Sequence, residues 1–187
     1  AVFLRLGPGS TPNDQGIRVG SSMVLNGDAR GGSGSDGVGG SAVGGLVALR
    51  GQSGTITAGS VNLLADATGG FGVGGGTARS GRLFGGFDNA NLTTNRLNLL
   101  VSAVGGDATD GGRGGDATVG QVFFLLSSLE NGPGTVVNAG SATLLASARG
   151  GAGGGSSFIA GDGGNAFGID PNATELQIAI ISRPARS

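Results

Sequence analysis

Carboxylates set among glycines are the residues of this chain best suited to chemistry, and the chemistry they suggest is the holding of a hard cation. Gly31-Gly32-Ser33-Gly34-Ser35-Asp36-Gly37-Val38-Gly39 fits the nonapeptide in which an Asp and backbone carbonyls ligate calcium between successive turns of a β-roll. One nonapeptide cannot close such a site; it needs a tandem neighbour. The segment from Gly111 to Val119 is a partial second match carrying Asp116, but Thr118 stands where the apolar residue belongs, and the two aspartates lie 80 residues apart. Asp107, Asp110 and Asp116 share one loop with Arg113, so oxygen ligands and a balancing charge are close together. The plainer expectation is that Asp36 and Asp116 cap turns in a solvated loop. Calcium, with Asp36 and Asp116 as its candidates, is the one cofactor weighed; no other is expected.

Catalysis is poorly supplied. The chain has no His and no Cys, so the commonest general base and nucleophile are missing, as are the N and S ligands of ordinary zinc sites. Glu130 and Glu175 are the only glutamates, and neither has a second carboxylate spaced to work with it. Trp and Tyr are absent, which removes the usual platforms of a sugar-cleaving cleft. Gly-x-Gly-x-x-Gly matches occur in the glycine runs, but no helix pattern follows them, so the dinucleotide fingerprint fails its context. Asn91-Leu92-Thr93 and Asn172-Ala173-Thr174 are formal sequons and read as ordinary strand-edge residues. The expectation is a protein that is not an enzyme.

The elements that carry these residues follow from composition and period. Glycine supplies 44 of 187 residues, yet hydrophobic residues still make up 37%. A flexible Gly/Ser linker would lack the apolar runs, and an ordinary globule would lack the glycine. Only 5 prolines occur and no Gly-X-Y period, which excludes collagen. All aromatic residues are Phe, at 4%, so the core is expected to be thin and built from Val, Leu, Ile and Ala. Net charge is -1, and the arginines are scattered from Arg5 to Arg186. No footprint for nucleic acid or an anionic membrane results, and no stretch is apolar for long enough to span a bilayer as a helix. The apolar start, Ala1 to Leu6, is shorter than a signal peptide; the chain is expected to be a mature product or a segment of something longer.

A block of roughly forty residues recurs four times. Leu25-Asn26-Gly27-Asp28-Ala29-Arg30-Gly31-Gly32 aligns with Leu63 to Gly70, Leu99 to Gly106 and Leu144 to Gly151, at offsets of 38, 36 and 45 residues. Four "Gly-Gly-x-Ala" motifs end at Ala42, Ala78, Ala117 and Ala166. The reading is one array over 1–187, with repeats 17–53, 54–90, 91–133 and 134–182 and a tail 183–187. Three strand types are expected per repeat: a junction strand (21–26, 60–66, 96–103, 141–148), a second strand (45–50, 82–87, 120–129, 167–169), and a third, clearest at 54–60 and 134–141. No stretch keeps a 3.6-residue apolar period, so helix should be nearly absent. A fixed period of this size predicts stacked copies: an all-β fold, a β-solenoid or β-helix, ordered by pairing between copies more than by an oily nucleus. Glycine is expected to supply positive φ at corners. The glycine runs are either loops or polyproline-II-like segments packed side by side.

The segments Gly59 to Gly70, Gly114 to Val122 and Gly54 to Ser60 together resemble the glycine-rich repeats of filamentous-haemagglutinin-like adhesins, large bacterial surface exoproteins. The glycine-rich repeat proteins of mycobacteria are a second likeness. The first resemblance implies a right-handed β-solenoid, export from a Gram-negative cell to the extracellular surface, and a structural or adhesive role. The uneven spacing departs from that family's regularity.

Open strand edges at both ends of such an array template further pairing. The opening strand places Val2, Phe3, Leu4 and Leu6 as assembly residues. The closing strand, Thr174 to Ser182, alternates Leu176, Ile178 and Ile180 on one face against Glu175 and Gln177 on the other. The expected function is therefore a self-assembling structural or adhesive fibre unit whose partner is another copy or a neighbouring repeat. The alternative is a binding module for ice, host or surface glycans, or calcium; Thr55, Thr57, Thr93 and Thr135 are few for an ice-ordering array.

Overall fold

The computed structural model describes residues 1–7, 16–127, 134–156, 159–169 and 177–181. Among the described residues there is no helix. In chain order, β1 (Val2–Leu6) is followed by β2 (Gly16–Asn26), β3 (Ala29–Arg30), β4 (Ala42–Val43) and β5 (Leu46–Gly51). Next come β6 (Gly54–Leu64), β7 (Ala67–Thr68), β8 (Ala78–Arg79) and β9 (Arg82–Asp88). Then come β10 (Ala90–Val104), β11 (Ala117–Val119) and β12 (Val122–Ser127), and last β13 (Val136–Arg149), β14 (Ala166–Ile169) and β15 (Gln177–Ile181).

The strands form three sheets, parallel throughout, and each repeat contributes to each of them. A broad sheet runs β2, β6, β10, β13, with β3 and β7 continuing its first two strands. A short sheet runs β4, β8, β11, β14, and an opposing sheet runs β1, β5, β9, β12, β15. The register follows the sequence offsets: Leu25 pairs with Leu63, Leu63 with Leu99, and Leu99 with Leu144. The "Gly-Gly-x-Ala" alanines likewise stack in the order Ala42, Ala78, Ala117, Ala166.

Three expectations need correction. The junction and third strands are one continuous strand, and its pairing with β2 shifts register between Val19 and Ser22. Thus Ser22, not Ser21, stands beside Ser60. Residues 167–169 are not the fourth equivalent of 45–50. They lie in the short sheet, and β15 takes the place beside β12. Finally, the interior has an apolar nucleus of some size. Ile56, Val61, Leu63, Leu92 and Leu99 from the broad sheet meet Val47, Leu49, Leu83, Phe87 and Phe124 from the opposing sheet. The Phe87 and Phe124 rings pack with centroids 5.9 Å apart. Along β6 and β10 every second residue turns into this layer, with one shift of phase in each strand, between Ala58 and Val61 and between Thr94 and Leu97.

The cross-section tapers because the facing side chains shrink. Leu, Ile, Val and Phe separate the broad and opposing sheets. Farther along, Ala67 and Ala103 meet Ala42, Ala78 and Ala117 of the short sheet in a cluster of alanines alone. Beyond these the outgoing and returning runs are glycine and touch backbone to backbone. The Gly40 N–H donates to the Gly32 carbonyl at 2.7 Å, Gly70 to Gly40 at 2.8 Å, Gly76 to Gly70 at 2.8 Å and Gly106 to Gly76 at 2.8 Å. The zigzag continues through Gly115, Gly151 and Gly164. A parallel row lies three residues away, from Thr109 to Gly72 and from Gly154 to Gly112. These runs are hydrogen-bonded throughout the stack.

Only Gly54, Gly111 and Gly134 have positive φ among the described glycines. Most are needed for another reason: a Cβ would strike a neighbouring carbonyl. At Gly70 it would lie 2.0 Å from the Gly32 oxygen, at Gly106 1.9 Å from that of Gly70, and at Gly151 1.9 Å from that of Gly106.

Candidate functional site: open strand edges and a glycine face

The opening strand β1 is one edge of the opposing sheet and β15 is the other. Leu6 is buried, Val2 and Leu4 pack partly against the core, and Phe3 is 60% exposed. The expected assembly residues Val2, Leu4 and Leu6 thus already serve their own interior, and what β1 leaves open is its backbone edge. By register, Ile178 stands beside Phe124 and Ile180 beside Leu126; Leu176 lies outside the described residues. The broad sheet ends on β2 and β13, the short sheet on β4 and β14. At the β13 end a cavity of about 310 Å³ is lined by Leu97, Leu99, Phe124, Leu126, Ala142 and Leu144, among others. Its apolar lining comes from the inward rows of the last circuits.

Three of the carboxylates accept hydrogen bonds from backbone N–H groups of the following repeat. Asp28 Oδ1 accepts the Asp66 N–H at 2.9 Å, Asp107 Oδ1 that of Ala152 at 2.8 Å, and Asp116 Oδ1 that of Asn165 at 2.8 Å. Asn91 Oδ1 does the same for Val136 at 3.1 Å. Each acceptor holds the backbone of the next circuit, at a point where a carboxylate or amide oxygen extends the ladder. Asp116 also forms an ion pair with Arg113 at 2.6 Å. The Asn165 bond, and then Arg113, hold its carboxyl below the usual range despite slight desolvation. Asp110 occupies a tight turn at φ 51°, and Asp36 is exposed with the Ser35 hydroxyl donating to it at 3.2 Å. Among the described residues no group of three or more His, Cys, Asp or Glu is placed to hold a metal ion.

Asp66 is the strained member of this set. Burial raises its carboxyl above the ordinary value, the Asp28 charge adds to the rise, and a hydrogen bond from the Ser102 backbone opposes both. Its Oδ1 is buried with no partner. A raised folded-state pKa means that the carboxyl favours folding when protonated and loses that advantage as pH rises through it. Asp66→Asn is therefore expected to raise the Tm at pH 7, with the gain vanishing below pH 3.8, the ordinary value. Melting curves at both pH values check this, and a gain that persisted in acid would refute the ionic cause.

A shallow surface pocket escaped sequence reading. On the outer face of the opposing sheet, Arg50, Gln52, Phe84, Asp88, Leu125 and Ser127 surround a hollow of about 170 Å³. The Arg50 guanidinium lies 4.5 Å over the Phe84 ring, and Asp88 Oδ1 is buried without a partner. The hollow combines a cation, a carboxylate acceptor and an aromatic edge. Its one sequence signal was the period itself, which sets Arg50 beside Gly86 and Asp88 beside Ser127.

The outer face of the broad sheet mixes Asn, Ser and Thr with exposed Val24, Val136 and Leu145. Asn98 donates to Asn62 at 2.7 Å and Ser60 to Ser22 at 2.9 Å. Thr57 and Thr93 do stack, but their row begins with Arg18 and ends with Asn138. No family model, curated protein or solved structure matches this chain.

Proposed function

We propose that the chain is a β-solenoid segment with a structural, non-catalytic role, built to extend by end-to-end stacking into a fibre at the cell surface. The observation that supports this most directly is that equivalent residues of successive circuits pair in parallel and in register in the broad and short sheets. A unit that pairs with its own copies in this way presents, at its last strand, much the same surface that its first strand matches. The three-residue spacing of the glycine hydrogen bonds is that of polyproline II, which favours ordered glycine runs packed into the same stack. The resemblance to haemagglutinin-like exoproteins is what favours an extracellular, adhesive setting over any other.

Electron microscopy of the purified chain tests this reading. The expected result is unbranched filaments one chain wide, with an axial reflection near 4.8 Å, the spacing of stacked strands. A discrete monomer at concentrations up to about the millimolar range, the upper end for edge-driven association, would remove it.

A further inference from the structure

Among the described residues the three sheets do not have equal numbers of strands. The broad sheet has β2, β6, β10 and β13, the short sheet has β4, β8, β11 and β14, but the opposing sheet has β1, β5, β9, β12 and β15. Two copies cannot therefore stack bluntly with all three ladders unbroken. If β1 of the second copy simply followed β15 of the first, a full circuit would be missing from the other two sheets. Unbroken ladders require one opposing strand to give way.

We propose that assembly proceeds by strand exchange with a second copy of this chain: β1 of one copy takes the place of β15 beside β12 of the next, so that β2 meets β13 and β4 meets β14. This rests on the fibre reading and specifies its joint. The exchange is supported by the row positions. Leu4 belongs to the row Leu4, Leu49, Gly85, Phe124, Ile178, and Leu6 to the row Leu6, Gly51, Phe87, Leu126, Ile180. The donor strand thus brings leucines to the positions that the isoleucines of β15 hold, in the same parallel sense, and β1 keeps its own pairing with β5.

The other rows continue across the joint. Ile17 would stand on Val137, Val19 on Ala139 and Leu25 on Leu144. Met23 would stand on Ala142, the smallest residue of its row and part of the lining of the 310 Å³ cavity. A long thioether side chain suits an irregular apolar gap. In the glycine face, Gly32 would take on Gly151 the place that Gly70 has on Gly32. One row is unfavourable, since Arg30 would come to lie beside Arg149. Both are exposed, so the repulsion is screened by salt.

Gly32 makes the proposal testable without disturbing the single molecule. A Cβ there meets nothing within 4 Å, whereas at Gly70, Gly106 and Gly151 it strikes the preceding circuit's carbonyl at 1.9–2.0 Å. At the proposed joint Gly32 acquires the same contact. Gly32→Ala should therefore leave the melting curve unchanged and abolish filaments. Cysteine pairs locate the donor strand in a chain that has no cysteine of its own. With exchange, Arg5→Cys comes beside Leu125→Cys of another copy; within one copy β1 and β12 are three strands apart, about 14 Å, too far for a disulfide. Oxidation of the Arg5→Cys/Leu125→Cys chain should give a ladder of covalent multimers on a non-reducing gel, and Arg5→Cys/Ala179→Cys should give none. The reverse pattern, with Gly32→Ala still forming filaments, overturns the exchange but leaves the fibre standing. Absence of filaments from the unmodified chain overturns the fibre reading itself.

Discussion

Gly106→Ala should cost about 3 kcal/mol or more, at the upper end of the usual penalty for forcing extra atoms into a packed interior. In a chain of this size that is a Tm loss of roughly 6–12 °C. The added methyl would lie 1.9 Å from the Gly70 carbonyl oxygen and 2.7 Å from its carbon. Both are backbone atoms, fixed by the zigzag in which Gly70 donates to Gly40 and Gly106 to Gly76. No rotamer change can relieve the contact, and moving one circuit moves its neighbours. Circular dichroism melting of the variant, with Gly32→Ala as the matched control, reads the result. Equal stability of the two would mean that the glycine runs are loose loops rather than a packed face.

The second large effect concerns the apolar layer. Leu99 is fully buried between Leu63 and Leu144, facing the opposing sheet. Leu99→Ala is expected to cost about 2–5 kcal/mol, from lost burial and the cavity left behind. Leu145, one residue after the partner of Leu99, is 52% exposed on the outer face. Leu145→Ala should change stability by no more than about 0.5 kcal/mol. Urea titrations of both variants test the register as well as the core. A one-residue slip exchanges the two faces, so a costly Leu145→Ala beside a harmless Leu99→Ala would show that the strands pair differently.

The glycine excess has one physical origin in this fold. Side-chain size sets how closely two layers approach. The sequence grades from leucine through alanine to glycine along each circuit, as in Leu99, Ala103, Gly105 and Gly106. The strand order and register of the broad sheet from Leu25 onward were legible from this grading and from the offsets, because parallel pairing of equivalent residues is a relation along the sequence. Once Leu25, Leu63, Leu99 and Leu144 are aligned, their stacking needs no further knowledge of the fold.

The roles of the aspartates were not legible in the same way. Asp107 and Asp116 read as loop carboxylates or cation ligands, and Asp28 only as part of the repeat, because spacing reports type and separation but not direction. Their acceptors reach N–H groups 38, 45 and 49 residues away, partners visible only when two circuits are placed side by side. The pocket around Phe84 and Asp88 was hidden for the same reason.

What the amino-acid sequence determined by itself is which residues are equivalent, and hence which strands lie next to one another, since repetition fixes register without reference to anything outside the repeat. What only the tertiary structure decided is which layer each strand faces, that 177–181 and not 167–169 lies beside β12, and that among the described residues this sheet is one strand longer than its companions. Those are relations between unlike segments. They depend on side-chain volume and on the path of the turns in three dimensions, and no periodicity along the chain encodes them.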